Sequence, residues 1–315
     1  MKTISIAIPC YNEEENVVAL SEALAKLFDE QLPNYNYEFV FIDNASTDNT
    51  RVLLRQICQK NTKIKAIFNA KNFGQFRSSH YGMLQSTGDC TILLCCDFQD
   101  PIELIPKMVQ EWENGYRIIV MQKTRSEENK IMRFLRTCYY KIIHKLSEVE
   151  QIEHFTGFGL YDRSFIKVLR DLNDPMPFLR GIVAELGYKI KIMPYTQKKR
   201  RAGKTHHNFF TLWDGAMLSI TSYTKFGLRL ATLLGSLIAF MNFIIATTYF
   251  IFKLMWWDDF IIGTAPIIIG MFFLGGVQLL FLGIMGEYVL SINQRLMNRP
   301  LVVEEERLNF ESNID

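Results

Sequence analysis

Thr91-Ile92-Leu93-Leu94-Cys95-Cys96-Asp97-Phe98-Gln99-Asp100-Pro101 is a short apolar run that ends on an acid and a turn. It reads as a buried β-strand over Thr91–Asp97 that delivers a carboxylate at its C-terminal end. Asp97 and the amide of Gln99, two residues on, form an oxygen pair suited to a hard divalent cation. Asp100 before Pro101 fits the N-cap and first position of a following helix, so Asp100 is expected to cap and Asp97 to act.

Working outward, the first ~200 residues alternate between the two hydrophobic periods. Strands are expected at Ile4–Pro9, Tyr37–Ile42 and Lys63–Asn69, and helices at Val17–Phe28, Thr50–Gln59 and Phe76–Ser86. Such alternation implies an α/β fold with a mostly parallel sheet covered by helices. Ligands of such sheets bind beyond the carboxyl ends of the strands. Here those ends carry Tyr11-Asn12-Glu13, Asp43-Asn44 and Asp97.

The 315 residues carry a net charge of +2, so no global field points to nucleic acid. Cysteines at 10, 58, 90, 95, 96 and 138 match neither a zinc pattern nor a disulfide scaffold. Free thiols in a reducing compartment are the simpler reading. The N-terminus reads as a first strand, since its apolar run is too short for a signal peptide.

Two uncharged stretches, Leu230–Phe252 and Phe260–Gly286, each reach the ~20 residues that cross a bilayer as a helix. Trp256, Trp257, Asp258 and Asp259 lie between them and suit a turn at headgroup level. The expectation is a transmembrane hairpin over 227–290, with spans near 229–252 and 261–286. Lys225, Arg229, Arg295 and Arg299 flank it on one side, which places the 1–206 domain and a 291–315 tail in the cytoplasm, on a multi-pass cytoplasmic-membrane protein. Lys130–Leu146 and the 207–226 stretch are amphipathic and are expected to lie in the interface. Removal of everything after Ser222 is expected to leave a more soluble catalytic domain.

Three further groups carry polar chemistry. Asp43 to Thr50 supplies an acid for a base or ribose, with Asp48 or Ser46 free to cap the next helix. Taken alone this stretch reads better as a turn. Tyr11 is able to pack on a nucleobase and Glu13 to bond it. Arg180, Lys198, Lys199, Arg200, Arg201 and Lys204 form a basic group before the interfacial stretch. They fit an anchor on anionic lipid or a clamp for an acceptor phosphate. His206 and His207 lack acidic or cysteine neighbours and read as solvated or interfacial rather than as metal ligands.

In this order, the motifs resemble the family 2 glycosyltransferases with a GT-A fold, over nearly the whole chain. The similarity runs through Ile8–Glu14, Asp43–Asp48, Lys71–Gly74, Asp97–Pro101, Leu160–Arg163, Arg180-Gly181, Arg200–Thr205, Gly286–Tyr288 and Asn298–Pro300. The nearest group looks like the polyprenyl-phosphate glycosyltransferases, such as dolichol-phosphate mannose synthases and bactoprenol glucosyltransferases. The resemblance implies that Pro9, Tyr11, Glu13, Asp43 and Asp97 bind a nucleotide-sugar, and that Asp97 and Gln99 hold Mg²⁺ or Mn²⁺. It makes Arg125, Arg133, Arg200 and Lys204 candidates for the acceptor phosphate or the donor diphosphate, with Asp97, Arg125 and Arg133 as catalytic candidates. Arg180 and Arg201 join the acceptor-phosphate set. The implied reaction is inverting transfer of one sugar, with UDP-hexose favoured by family frequency, to a polyprenyl phosphate for cell-surface glycan modification. A homo-oligomer is left open.

Two positions depart from the family pattern. Cys95 stands where the first acid of an Asp-x-Asp pair is usual, and Gly157 stands where relatives commonly carry an Asp. A thiolate is a poor partner for Mg²⁺, so Cys95 is expected to be packed rather than ligating. The second loss matters little for a phosphate acceptor, which is mostly a dianion at pH 7 because its second pKa is near ~6. Such an acceptor needs positioning rather than a general base. The alternatives are transfer to a hydroxyl of a lipid-linked glycan, or an inactive membrane scaffold.

Overall fold

The computed structural model describes residues 1–125, 152–198, 200–201, 217–219, 221–223, 226–255 and 264–310. One eight-stranded sheet organises the N-terminal region. Its strands are β1 (Thr3–Cys10), β2 (Asn36–Asp43), β3 (Ile64–Asn69), β4 (Cys90–Leu93), β5 (Ile118–Arg125), β6 (Phe155–Asp162), β7 (Ile190–Thr196) and β8 (Glu304–Leu308). Their order is β7-β5-β6-β4-β1-β2-β3-β8. The four strands β4, β1, β2 and β3 are parallel, β6 runs antiparallel to β4 and β5, and β8 runs antiparallel to β3.

The near-continuous burial of β1 and β2 requires helices on both faces. On one face α1 (Val17–Gln31) and α2 (Thr50–Lys60) carry Leu20, Leu24, Phe28 and Leu54 into a cluster with Ile6, Phe39 and Phe41. α4 (Ile105–Glu113) adds Met108 and Trp112 to the same cluster. On the other face α3 (Gln75–Leu84), α5 (Arg163–Leu172) and α6 (Leu179–Glu185) bring Met83, Phe165, Leu169 and Val183 against Ala7 and Val120. Two long helices follow, α7 (Phe226–Met255) and α8 (Thr264–Leu296). Within α8, Leu274–Leu296 is long and apolar enough to cross a membrane, and none of it is buried.

Three expectations change. β4 ends at Leu93 rather than reaching Asp97. After Leu94 gives its N–H to Ala7, at 3.1 Å, the chain peels off the ladder. Asp100 does not cap: a 3-10 turn over Ile102–Leu104 begins after Pro101 without a side-chain cap, and the Asp100 carboxylate points inward. The described part of the 291–315 segment, up to residue 310, is not a tail: 291–296 extend α8, and Glu304–Leu308 form the edge strand β8. The amphipathic stretch at Lys130–Leu146, the Trp256–Asp259 turn, and most of 207–226 lie outside the described residues.

His80 on α3 is 3 % exposed, and burial lowers its imidazole from 6.5 to about 4, against a small opposing pull from Asp174. Above pH 6.5 it is neutral in both native and unfolded chains and adds no pH dependence. Between 6.5 and 4 the unfolded chain takes the proton and the native one does not, so stability falls by about 3 kcal/mol in total. Thermal unfolding followed from pH 7 to pH 4 is expected to show this decline, flattened in His80→Gln. An equal decline in that variant would assign the acid sensitivity elsewhere.

Candidate active site

Three loops leave the carboxyl ends of β1, β2 and β4, and each turns on a non-glycine residue with positive φ. These are Asn12 at 55°, Ala45 at 62° and Phe98 at 59°. Such residues are uncommon and concentrate where a fold holds functional groups in fixed positions. The Asn12 and Ala45 loops are laced together. The Asn12 N–H donates to Ser46 Oγ and the Thr47 N–H to Asn12 Oδ1, both at 2.8 Å. The Glu13 N–H donates to Thr50 Oγ1 at 2.8 Å. Asp48 accepts from the Thr50 N–H at 3.0 Å, so it serves the start of α2, while Ser46 serves the β1 loop instead.

Asp97 is held by its own turn, its Oδ1 accepting the Gln99 N–H at 3.1 Å. The chain after β7 returns across this turn: the Lys198 N–H donates to Gln99 O at 3.1 Å and the Arg201 N–H to Asp97 O at 3.4 Å. That crossing carries Arg200 into the site. Its guanidinium hydrogen-bonds Glu13, and its Nε lies 3.6 Å from Asp97 Oδ2. One arginine therefore joins the β1 and β4 loops through two acids. Glu13 also accepts from Asn16 Nδ2 at 2.6 Å. Burial holds its carboxyl above the ordinary value, against the pull of Asn16 and Arg200.

Behind the turn, Asp100 Oδ1 accepts from Tyr195 Oη at 3.1 Å, and Oδ2 faces the Cys95 N–H at 3.5 Å. Burial, aided by Asp97, raises Asp100 to about 7. Burial and then the Asp100 and Asp97 carboxylates push the Cys95 thiol well above its ordinary value. A neutral thiol is no ligand for a hard cation. Asp43 is fully buried, accepting from the Ser46 N–H at 3.2 Å and from Arg51 Nε at 2.7 Å. It thus forms the floor of the site through its loop, rather than presenting an open carboxylate to a base.

Pro9 lies in β1 beside Ile42, and half-buried Tyr11 follows that strand. Arg201 is exposed, with its guanidinium over the Phe98 ring at 5.2 Å. Arg180 stands on α6, over the Phe178 ring at 5.9 Å, on a different element from the Arg200 cluster. Arg125 ends β5, in register with Thr196, and Arg133 and Lys204 lie outside the described residues. Gly157 adopts φ +106°, a conformation that L side chains rarely adopt, so the backbone here is built for glycine.

Sequence reading missed two contributors. Asn44 Oδ1 accepts from the Phe73 N–H at 2.9 Å and from Ser78 Oγ at 2.8 Å, which ties the Lys71–Gly74 motif to the β2 loop. Tyr195 supports Asp100 from a strand 95 residues away. Neither role leaves a local sequence signal.

Parallel strands in the order β3-β2-β1-β4, an antiparallel β6 beside β4, and acids beyond the strand ends define a GT-A glycosyltransferase architecture. The chain belongs to the family 2 glycosyltransferases, whose profile, described as "Glycosyl transferase family 2", matches residues 5–169. It is 31% identical to an uncharacterized glycosyltransferase of Synechocystis, over 95% of this chain and 93% of that one. It is 28% identical to the bactoprenol glucosyl transferase of Shigella phage SfX, over 94% of this chain and 97% of that one. Mannosyl-3-phosphoglycerate synthase from Rubrobacter xylanophilus superposes with a TM-score of 0.49 at 13% identity, over 70% of this chain and 72% of that one. The protein is accordingly a glycosyltransferase that uses a nucleotide-sugar.

Proposed function

We propose that this enzyme transfers a single hexose, with inversion, from a UDP-sugar to a polyprenyl phosphate at the cytoplasmic face of a membrane. The observation that carries the reading is the pairing of Asp97 with Arg200 beyond the strand ends. A carboxylate and a guanidinium at the strand ends suit a departing diphosphate. Gly157, where relatives commonly carry an Asp, offers no side-chain base, which suits an acceptor that arrives already ionised. Full-length similarity to proteins described as bactoprenol glucosyl transferases supports the lipid acceptor.

For the described residues the roles follow from position. Pro9, Tyr11, Glu13 and the Asp43 loop form the nucleotide side. Asp97 and Gln99 face the diphosphate. Arg200 trades its acids for phosphate oxygens when donor enters, and Arg201 flanks it. Arg125, Arg133, Arg180 and Lys204 are proposed for the acceptor phosphate or the diphosphate.

The donor set fits Mg²⁺ or Mn²⁺ only in part. Among the described residues no group of three or more His, Cys, Asp or Glu side chains converges, and Asp97 supplies one carboxylate. Mg²⁺ is commonly held by one or two carboxylates plus substrate phosphates, so Asp97 and Gln99 would hold an ion that the diphosphate completes. When bound, the ion would neutralise charge on the leaving diphosphate. Excess EDTA is therefore expected to stop turnover, and Mg²⁺ or Mn²⁺ to restore it. Full turnover in EDTA would remove the metal from the reading.

The membrane placement draws on α7 and α8. Leu237, Phe240, Ile244, Leu279, Leu280 and Leu282 are among the large apolar side chains these helices expose. An exposed apolar surface of this extent marks a lipid or partner contact. We read the pair as a hairpin with both chain ends cytoplasmic.

Purified full-length enzyme, given polyprenyl phosphate and a panel of nucleotide-sugars, tests the function by mass spectrometry of the lipid. The expected product is one hexose on the lipid phosphate, from a UDP-sugar. Transfer only to a hydroxyl acceptor, or to none across the panel, would refute it. Turnover is expected to rise with acceptor ionisation, half-maximal near ~pH 6, and to level off from about pH 7. A later rise tied to an enzyme carboxylate would restore a general base.

A further inference from the structure

The last strand of the chain reaches the donor site. After α8 ends at Leu296, seven residues lead to β8, which pairs antiparallel with β3. Glu305 on β8 accepts from Arg51 Nη1 at 2.9 Å. The same guanidinium donates through Nη2 to Asn69 O at 2.6 Å and through Nε to Asp43 Oδ2 at 2.7 Å. Asp43 in turn holds the Ser46 N–H, and Ser46 Oγ holds the Asn12 N–H. The line from Glu305 thus ends on the β1 and β2 loops.

We propose that Arg51 is a positioning residue of the nucleotide site, and that Glu305, arriving directly from α8, orients it. The proposal rests on the reading of those two loops as the nucleotide side. Asp43 is fully buried, so its charge needs a partner, and Arg51 is the side-chain cation bonded to it. With Arg51 in place the carboxylate fixes Ser46, and Ala45 is held at its positive φ. Without it the buried carboxylate lacks its countercharge, and the loop loses its reference point. An arginine suits this place because its fork serves three acceptors in one plane, which a lysine cannot do.

Glu306, next along β8, supplies an internal control. It accepts from Arg55 Nε at 3.0 Å and Nη2 at 2.5 Å, so it anchors β8 to the same helix α2. No bond among the described residues carries that pair on to Asp43. If β8 only clamps the sheet edge, Glu305 and Glu306 are equivalent. If β8 addresses the nucleotide site, they are not.

The test is calorimetric binding of UDP, GDP, CDP and ADP to the full-length enzyme in detergent, with KM for polyprenyl phosphate and Tm measured alongside. Expected for UDP is a loss of affinity of about tenfold in Arg51→Lys and about threefold in Glu305→Gln. Glu306→Gln is expected to bind as the unmodified enzyme does, and all three to keep the acceptor KM and insert in membranes. Glu305 is largely exposed, so its variant folds even if an Arg51 variant does not. Unchanged UDP affinity in Glu305→Gln, or equal losses in Glu305→Gln and Glu306→Gln, would overturn the proposal. An unmodified enzyme that binds none of the four diphosphates would instead overturn the reading of the loops, and the proposal with it.

Discussion

Asp97→Asn is expected to lower turnover by about a thousandfold, with the protein still folded and still in the membrane. The carboxylate is partly exposed, its side chain 13% accessible, and its main internal bond is to the Gln99 N–H of its own turn. The amide oxygen of asparagine keeps that bond, so the turn survives. What is lost is the negative charge that meets Arg200 and, on our reading, a divalent ion on the diphosphate. Steady-state rates with the full-length enzyme, together with Tm, separate the two effects. A variant that retains a tenth or more of the activity would show that Asp97 does not serve the leaving group.

Arg200→Met is expected to be the second most damaging change, lowering kcat/KM by at least about a hundredfold, which is ~2.7 kcal/mol of transition-state stabilisation. Its guanidinium joins Glu13 and Asp97 across the site. Removal leaves the Glu13 and Asp97 carboxylates without their shared cation, which loosens both loops. Some destabilisation follows as well, and Tm is expected to fall by a few degrees. Arg200→Lys is expected to recover stability better than rate, because a lysine offers charge without the fork that spans two acids or two phosphate oxygens. If methionine at this position left the rate intact, the phosphate role would fall to other basic residues.

The parallel sheet was legible because buried strands and amphipathic helices alternate with clear periods, as in Ile4–Pro9 and Val17–Phe28. Asp97 and Glu13 stand out as candidates by residue type at strand ends, and Arg200 as one of a basic group before the interfacial stretch. Their union was not legible: Arg200 lies 187 residues from Glu13 and enters only because the chain after β7 recrosses the Asp97 turn. Asp100 was misread as a cap because Asp-Pro has the local chemistry of a helix start, and the competing partner, Tyr195, comes from a distant strand. β8 was invisible for a related reason. Glu304-Glu305-Glu306 has no apolar alternation, and its stability comes from Arg51, Arg55 and Tyr81 on other elements. The truncation after Ser222, expected to give a more soluble catalytic domain, carries a structural cost here. Such a truncation removes an edge strand and leaves β3 open, with Arg51 deprived of Glu305 and Arg55 of Glu306.

The meeting of diphosphate, divalent ion and the residue 97 side chain can be observed by pulsed electron–nuclear double resonance on Mn²⁺ bound with UDP to the full-length enzyme. The expected spectrum shows ³¹P coupling from the diphosphate, with Mn²⁺ binding that requires UDP and is lost in Asp97→Asn. Mn²⁺ bound equally well in that variant, or bound without any phosphorus coupling, would contradict a leaving-group site at Asp97.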